Sequence, residues 1–251
     1  MTEFFVRSYE PSDSAFAFFG AGHFLLVLLA AAGLALLLWM TRRLPREKMW
    51  TPVRVAAVLV PVLELSHSVW LYLTGVTEVV QLLPLHLCGV QSLFIPLAVF
   101  SGSMALRDFV YATSLLGGVF GILFPAGVAD YYPLWSFQTI QTVLLHMLLI
   151  YVPLAMVTAD LHRPDPHRFP RVLCVFLALV LVVGGVDRIF GENYMFLYAP
   201  PAGTPLVWVF HTFGRPVYLL ITFLLLAGAS FIIHLPFAAH RRAAVSVRHS
   251  E

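Results

Sequence analysis

The sequence predicts an all-α fold: a polytopic membrane helical bundle of about seven transmembrane helices, with its N-terminus outside and its C-terminus cytoplasmic. Three observations predict it. Of 251 residues, 60% are hydrophobic and 11% charged, against about 45–50% and 25% in soluble domains. The apolar residues fall into runs near the roughly 20 residues that cross a bilayer as helix. The basic residues cluster in alternate connections, as the positive-inside rule requires.

The runs cover about 19–40, 53–74, 82–101, 107–126, 136–158, 171–190 and 215–237. The first is expected to be retained as a span. Glu3, Glu10 and Asp13 precede it with only Arg7, so it lacks the basic flank of a cleavable signal. Arg42, Arg43, Arg46, Lys48 and Arg54 follow the first span, Arg107 the third, and Arg163, Arg168 and Arg171 the fifth. Arg241, Arg242 and Arg248 close the chain. The opposite connections carry Glu78, Asp130 and Glu192 among Tyr131, Tyr132, Trp135, Tyr194 and Trp208, suiting an outer interfacial belt. No repeat or low-complexity linker divides the chain, which reads as a single membrane domain over 1–251. The connection 191–214, rich in aromatic residues and Pro, reads as a lid or re-entrant segment.

A formal charge of +2 gives no argument for nucleic acid, and two cysteines, each inside an apolar run, fit neither a disulfide framework nor a Cys-based zinc module. The informative residues are polar ones within the spans, since an ionisable group at membrane depth asks for a partner or a purpose. Glu64 and His67 lie in the second run, His86, Cys88 and Gln91 in the third, Gln138, Gln141 and His146 in the fifth, and Asp187 and Arg188 in the sixth. With alternating helix direction they share a depth, and one cavity toward the outer leaflet is expected to collect them. Glu64 and His67 are i, i+3 neighbours; Gln138, Thr142 and His146 form an i, i+4, i+8 stripe. Cys88 is expected to share a helix face with Gln91 and Ser92.

Cys88 carries the most reactive chemistry of the set. A thiolate attacks acyl carbonyls, a neutral His within reach takes the thiol proton, and a helix N-terminus favours the thiolate. Each residue also has a plain reading. A buried Cys is often a small hydrophobe, a membrane His is often satisfied by an interhelical hydrogen bond, and Glu64 with His67 can be a structural pair. Cys174, among Val172, Leu173, Val175 and Phe176, is expected to be an inert core residue. Asp187 and Arg188, adjacent and near the interface, suit a snorkelling or structural ion-pair role; His211 stays open. His162, His167, His240 and His249 are expected to be solvated in loops and tail.

The stretch Leu83-Pro84-Leu85-His86-Leu87-Cys88 resembles the YwaF-type bacterial integral membrane proteins, relatives of the transmembrane protein 164 acyltransferase. Glu192-Asn193-Tyr194-Met195-Phe196-Leu197 followed by Pro200 resembles the segment after the sixth span of the bacterial proteins. The resemblance runs from about residue 50 to 237. It implies a thioester route in which Cys88 and His146 move a fatty acyl chain from a phospholipid to a lyso-lipid. The chain departs from the pattern with Ala199 where relatives often carry Lys and with Arg215 before Pro216. Arg215 is expected to serve instead as a phosphate partner.

The leading expectation is a phospholipid acyltransferase of the bacterial cytoplasmic membrane. Cys88 and His146 are its catalytic pair, and Glu64, His67, His86, Gln91, Gln138, Gln141, Asn193 and Arg215 support substrate or oxyanion. Phospholipids and lyso-phospholipids are the expected partners, and no cofactor is expected. Two alternatives stand beside it. One is a lipid hydrolase, using either a Cys/His pair or a metal held by Glu64, His67, His86 and His146. The other is a small-molecule or proton-coupled transporter, since intramembrane Glu and His also mark ion pathways.

Overall fold

The computed structural model describes residues 4–7, 13–75, 78–125, 127–201 and 204–248. Glu3, Glu10 and His249 lie outside the described residues, as do the side chains of His240, Arg241, Arg242 and Arg248. Seven α-helices follow in order: α1 (Ala21–Arg43), α2 (Trp50–Leu73), α3 (Gln91–Ser101), α4 (Met104–Leu123), α5 (Phe137–Thr158), α6 (Phe169–Phe190) and α7 (Pro205–Arg248). Among the described residues, six helical segments are long and apolar enough to cross a membrane, and α3 is a shorter apolar helix. The protein is a multi-pass helical membrane protein. The chain divides into two compact units, Met1–Arg163 and Pro164–Glu251.

In the first unit α5 touches α1, α2 and α4. Its buried face of Leu145, Leu148, Leu149, Val152, Ala155 and Met156 packs with Val53, Ala57 and Val60 of α2, Ile95 and Ala98 of α3 and Val110 of α4. Local chemistry sets the helix ends. Ser103 and Ser136 cap α4 and α5 by accepting from Leu106 N and Thr139 N, as N-terminal Ser residues do. Gly102, at φ 71°, turns α3 directly into α4, a left-handed conformation that glycine adopts without penalty. The N-terminal segment is pinned on the α4–α5 connection: Phe16 N donates to Tyr132 O at 3.2 Å and Asp130 N to Phe16 O at 2.9 Å.

The third span departs from the sequence reading. Helix is expected from residue 82, yet α3 starts at Gln91, after a 3₁₀ turn at Val79–Leu82 and an irregular stretch through Pro84. Proline lacks the backbone donor and disfavours helix in the residue before it, so the apolar run 82–90 is turn at its start. His86 and Cys88 therefore precede the helix, and Cys88 does not share a helix face with Gln91 and Ser92.

In the second unit, α6 ends at Gly191, whose N–H donates to Asp187 O, with φ 76°. The loop expected over 191–214 is shorter than the sequence suggests: helix resumes at Pro205 and breaks at Gly214, φ 79° and ψ 172°, before Pro216. Cys174 is exposed on α6, so it is a surface residue of an apolar helix rather than a core one.

Candidate active site

Helix α4 offers α5 and the Cys88 turn a bare face. Gly117, Gly118 and Gly121 lie within two turns of one another, and a methyl group on Gly118 would come within 2.8 Å of His146 O and 2.6 Å of Ile150 Cγ1. A methyl group on Gly121 would overlap the His146 ring itself. Further along the same face, a methyl on Gly117 would meet Cys88 Sγ at 3.4 Å, and the thiol donates a long bond to Gly117 O at 3.7 Å. Four residues of helix rise about 6 Å, so the thiol and the imidazole lie against one glycine face about one turn apart. They do not hydrogen-bond to each other among the described residues.

The His146 tautomer follows from its partner. Nδ1 lies 2.7 Å from Thr142 O, a carbonyl that can only accept, so Nδ1 carries the hydrogen and Nε2 keeps its lone pair. In the neutral ring the free lone pair is therefore that of Nε2, on the Gly121 side.

Glu64 is buried and reaches the same turn. A methyl on Gly89 would lie 2.9 Å from Glu64 Oε1 and 2.9 Å from Pro84 C and O, so glycine is required beside Cys88 for the carboxyl to fit. Among the described residues neither carboxyl oxygen of Glu64 has a hydrogen-bond partner. Nor do the backbone N–H groups of Cys88 and Gly89 donate, whereas Val90 N reaches His86 O at 2.9 Å and Gln91 N reaches Cys88 O at 3.2 Å.

The remaining expected residues separate into other groups. Gln91 is fully buried and donates to Thr113 Oγ1 at 2.9 Å, tying α3 to α4. Gln138 Nε2 donates to His67 Nε2 at 3.3 Å, and Gln141 Nε2 to Leu63 O at 3.1 Å; both tie α5 to α2. His86 is exposed at the protein surface. Asn193 and Arg215 belong to the second unit, where they organise the loop after α6. Asn193 Oδ1 accepts from Tyr198 N at 2.8 Å and Ala199 N at 3.1 Å, and its Nδ2 donates to Ala199 O at 3.0 Å. Arg215 Nε donates to Leu197 O at 3.0 Å, with the guanidinium 3.8 Å above the Tyr198 ring. Asp187, expected to pair with Arg188, instead accepts from Tyr194 N at 2.9 Å. Among the described residues no three His, Cys, Asp or Glu side chains gather as metal ligands, so Glu64, His67, His86 and His146 do not converge on one point.

A family comparison gives this arrangement its context: the model of the TMEM164 family matches residues 18–233. The chain belongs to the TMEM164 family. The match takes in both units, with the Cys88 turn, the α4 glycine face and His146 in the first and the Asn193 loop and Arg215 in the second. No curated protein and no solved structure matches the chain.

Sequence reasoning missed three buried histidines in this family member, and with them Asp108, the partner of one. His162, expected to be solvated, is 3% exposed and its Nε2 lies 2.8 Å from Asp108 Oδ1, with both side chains sealed. His23 Nε2 donates to Ile122 O at 3.0 Å, tying the start of α1 to the end of α4. His234 is fully buried in α7, its Nδ1 donating to Ser230 O at 2.7 Å. His23 and His234 were visible as ionisable residues inside apolar runs, the signal that could have flagged them, whereas His162 lies in a charged loop.

Proposed function

We propose that the chain is a membrane phospholipid acyltransferase that works through a thioester on Cys88 with His146 as its base. The observation that carries the reading is the shared glycine face of α4, which sets a thiol and an imidazole with a free Nε2 lone pair about one turn apart. The reading requires the thiol to leave Gly117 O and reach Nε2 across about one turn of α4. The proton of Cys88 passes to Nε2, sulfur bonds to the donor's ester carbonyl, and the ester C–O bond breaks. The lyso-phospholipid leaves with the proton from the imidazolium. An acceptor hydroxyl then gives its proton to Nε2 and attacks the thioester, and the acyl chain moves to the acceptor as the thiol re-forms.

Two features support the carbonyl chemistry. Cys88 stands before the first turn of α3, where the backbone presents positive partial charge. The undonated N–H groups of Cys88 and Gly89 lie beside the nucleophile, where a tetrahedral oxyanion needs donors. The amides expected for that task are engaged elsewhere: Gln91 with Thr113, Gln138 with His67, Gln141 with Leu63. The bacterial cytoplasmic membrane is the proposed location, with phospholipid and lyso-phospholipid as substrates.

Intact-protein mass spectrometry after incubation with an ester phospholipid tests the reading. A hydroxylamine-sensitive acyl adduct is expected on the unsubstituted protein and absent from Cys88→Ala. His146→Ala is expected to lower the rate of adduct formation by 10²-fold or more, within the roughly 10²–10⁴ that general base catalysis contributes. Acyl exchange persisting at full rate in a folded Cys88→Ala protein would overturn it.

A further inference from the structure

On the side of α5 away from α4 lies a second feature, a cleft of about 670 Å³ between α1, α2 and α5. Its walls are apolar, with Leu37 from α1, Leu59 and Leu63 from α2, and Leu144 and Met147 from α5, and Lys48 stands at its mouth. The mouth lies at the basic end of the bundle, beside Arg42, Arg43 and Arg46, all exposed with Lys48. The opposite end is closed: Gln141 binds Leu63 O, and one turn beyond it Gln138 binds His67. These bonds separate the cleft from the Cys88 turn and the α4 face, so the cleft is not an extension of the candidate active site.

Its dimensions and charge identify an occupant. At about 1.5 Å per residue, the α2 wall from Thr51 to Leu63 is about 18 Å long. Half of a roughly 30 Å hydrocarbon core is about 15 Å, so the cleft has the depth of one leaflet. Val55 and Leu59 are 53% and 44% exposed, which leaves the flank open for lateral entry from the lipid. Of the two hydroxyls in the lining, that of Tyr151 is bound to Thr41 Oγ1 at 2.6 Å and that of Thr51 lies on the first turn of α2, three residues from Lys48, which is the one charged lining residue and a cation.

We propose that this cleft is a binding site for one acyl chain of an anionic phospholipid from the leaflet at the basic end, with its phosphate on Lys48. Apolar walls hold the tail without choosing a lipid, and the ammonium chooses the head by charge. The lipid is a bound, unreacted companion of the fold, so the site holds whether or not Cys88 transfers acyl groups.

Lipid retention on the purified full-length chain tests this, read by native mass spectrometry after exchange into equimolar phosphatidylglycerol and phosphatidylcholine. The unsubstituted protein is expected to keep phosphatidylglycerol in at least tenfold excess. Lys48→Gln is expected to lower that excess about fivefold, the worth of one cation near an anionic headgroup, and Val55→Trp, which fills the cleft from an exposed position, to remove both lipids. Leu59→Trp, also exposed, repeats the fill at a second position, and an unchanged thermal midpoint certifies folding of each variant. Equal retention of the two lipids by the unsubstituted protein overturns the proposal. So does undiminished phosphatidylglycerol on both folded tryptophan variants, or preferential retention of added oleate, which would assign the cleft to free fatty acid.

Discussion

Gly121 and His146 are two halves of one contact, since the ring occupies the volume that any side chain at 121 would need. Gly121→Ala is expected to displace the imidazole, costing about 1–3 kcal/mol as overpacking does, and to lower acyl transfer more than it lowers the melting point. Transfer rate and thermal midpoint measured on the same preparation check this. Asp108 and His162 form the opposite kind of contact, a buried charged or polar pair remote from the cysteine. Asp108→Ala is expected to destabilise the protein by about 3–5 kcal/mol, the range for removing one partner of a buried pair, and chemical denaturation in detergent reads it. At this scale the sequence was partly legible. Cys88 and His146, expected as a pair from the sequence, are set against one glycine face, whereas the helix face expected to join Cys88 with Gln91 and Ser92 is absent because α3 starts after Cys88. His162 could not be singled out, because its neighbours Asp160, Arg163 and Asp165 mark a solvated loop while the fold turns that one side chain inward.

Among the elements, α1, α2, α5 and α6 begin and end within three residues of their apolar runs, because length and hydropathy decide them. The third run failed as a helix over 82–90, since apolar composition alone does not separate helix from buried turn and Pro84 interrupts the backbone ladder. That failure bears on the proposed chemistry, for it leaves the amides beside Cys88 undonated. The loop after α6 was legible as a motif but not in its mechanism. Asn193 ties it with three hydrogen bonds, beside those from Tyr194 N to Asp187 and from Arg215 to Leu197 O, while Met195 and Phe196 hold positive φ of 52° and 58°, a conformation disfavoured for such side chains. Asn193→Ala is expected to release that strain by opening the loop, with limited proteolysis cutting between residues 193 and 199 several-fold faster and the helices unaffected.

For the whole molecule, the distribution of charge predicts orientation. Lys48 and the arginines at 42, 43, 46, 107, 163, 168 and 171 lie in or beside connections on one side of the alternating spans, which the positive-inside rule places in the cytoplasm. A reporter fused after Glu251 is expected to be active in its cytoplasmic form and silent in its exported form, and the reverse result would invert the topology. The helical bundle could be read from composition because the bilayer sets the length of its helices, and among the described residues six of the seven expected runs form helices long enough to cross it, with α3 the short exception. The partition of the polar residues into a thiol–imidazole locus, an α2–α5 seam and a separate loop could not, because it depends on which helix lies against which. The glycine face of α4 has a consequence for how such a protein would be dissected. A survey that replaces residues with alanine looks for what is lost when a side chain is removed, and α4 serves this locus with the side chains it lacks. Its part would emerge only from substitutions that add mass, so an inventory of functional groups would leave out the helix against which both reactive ones are set.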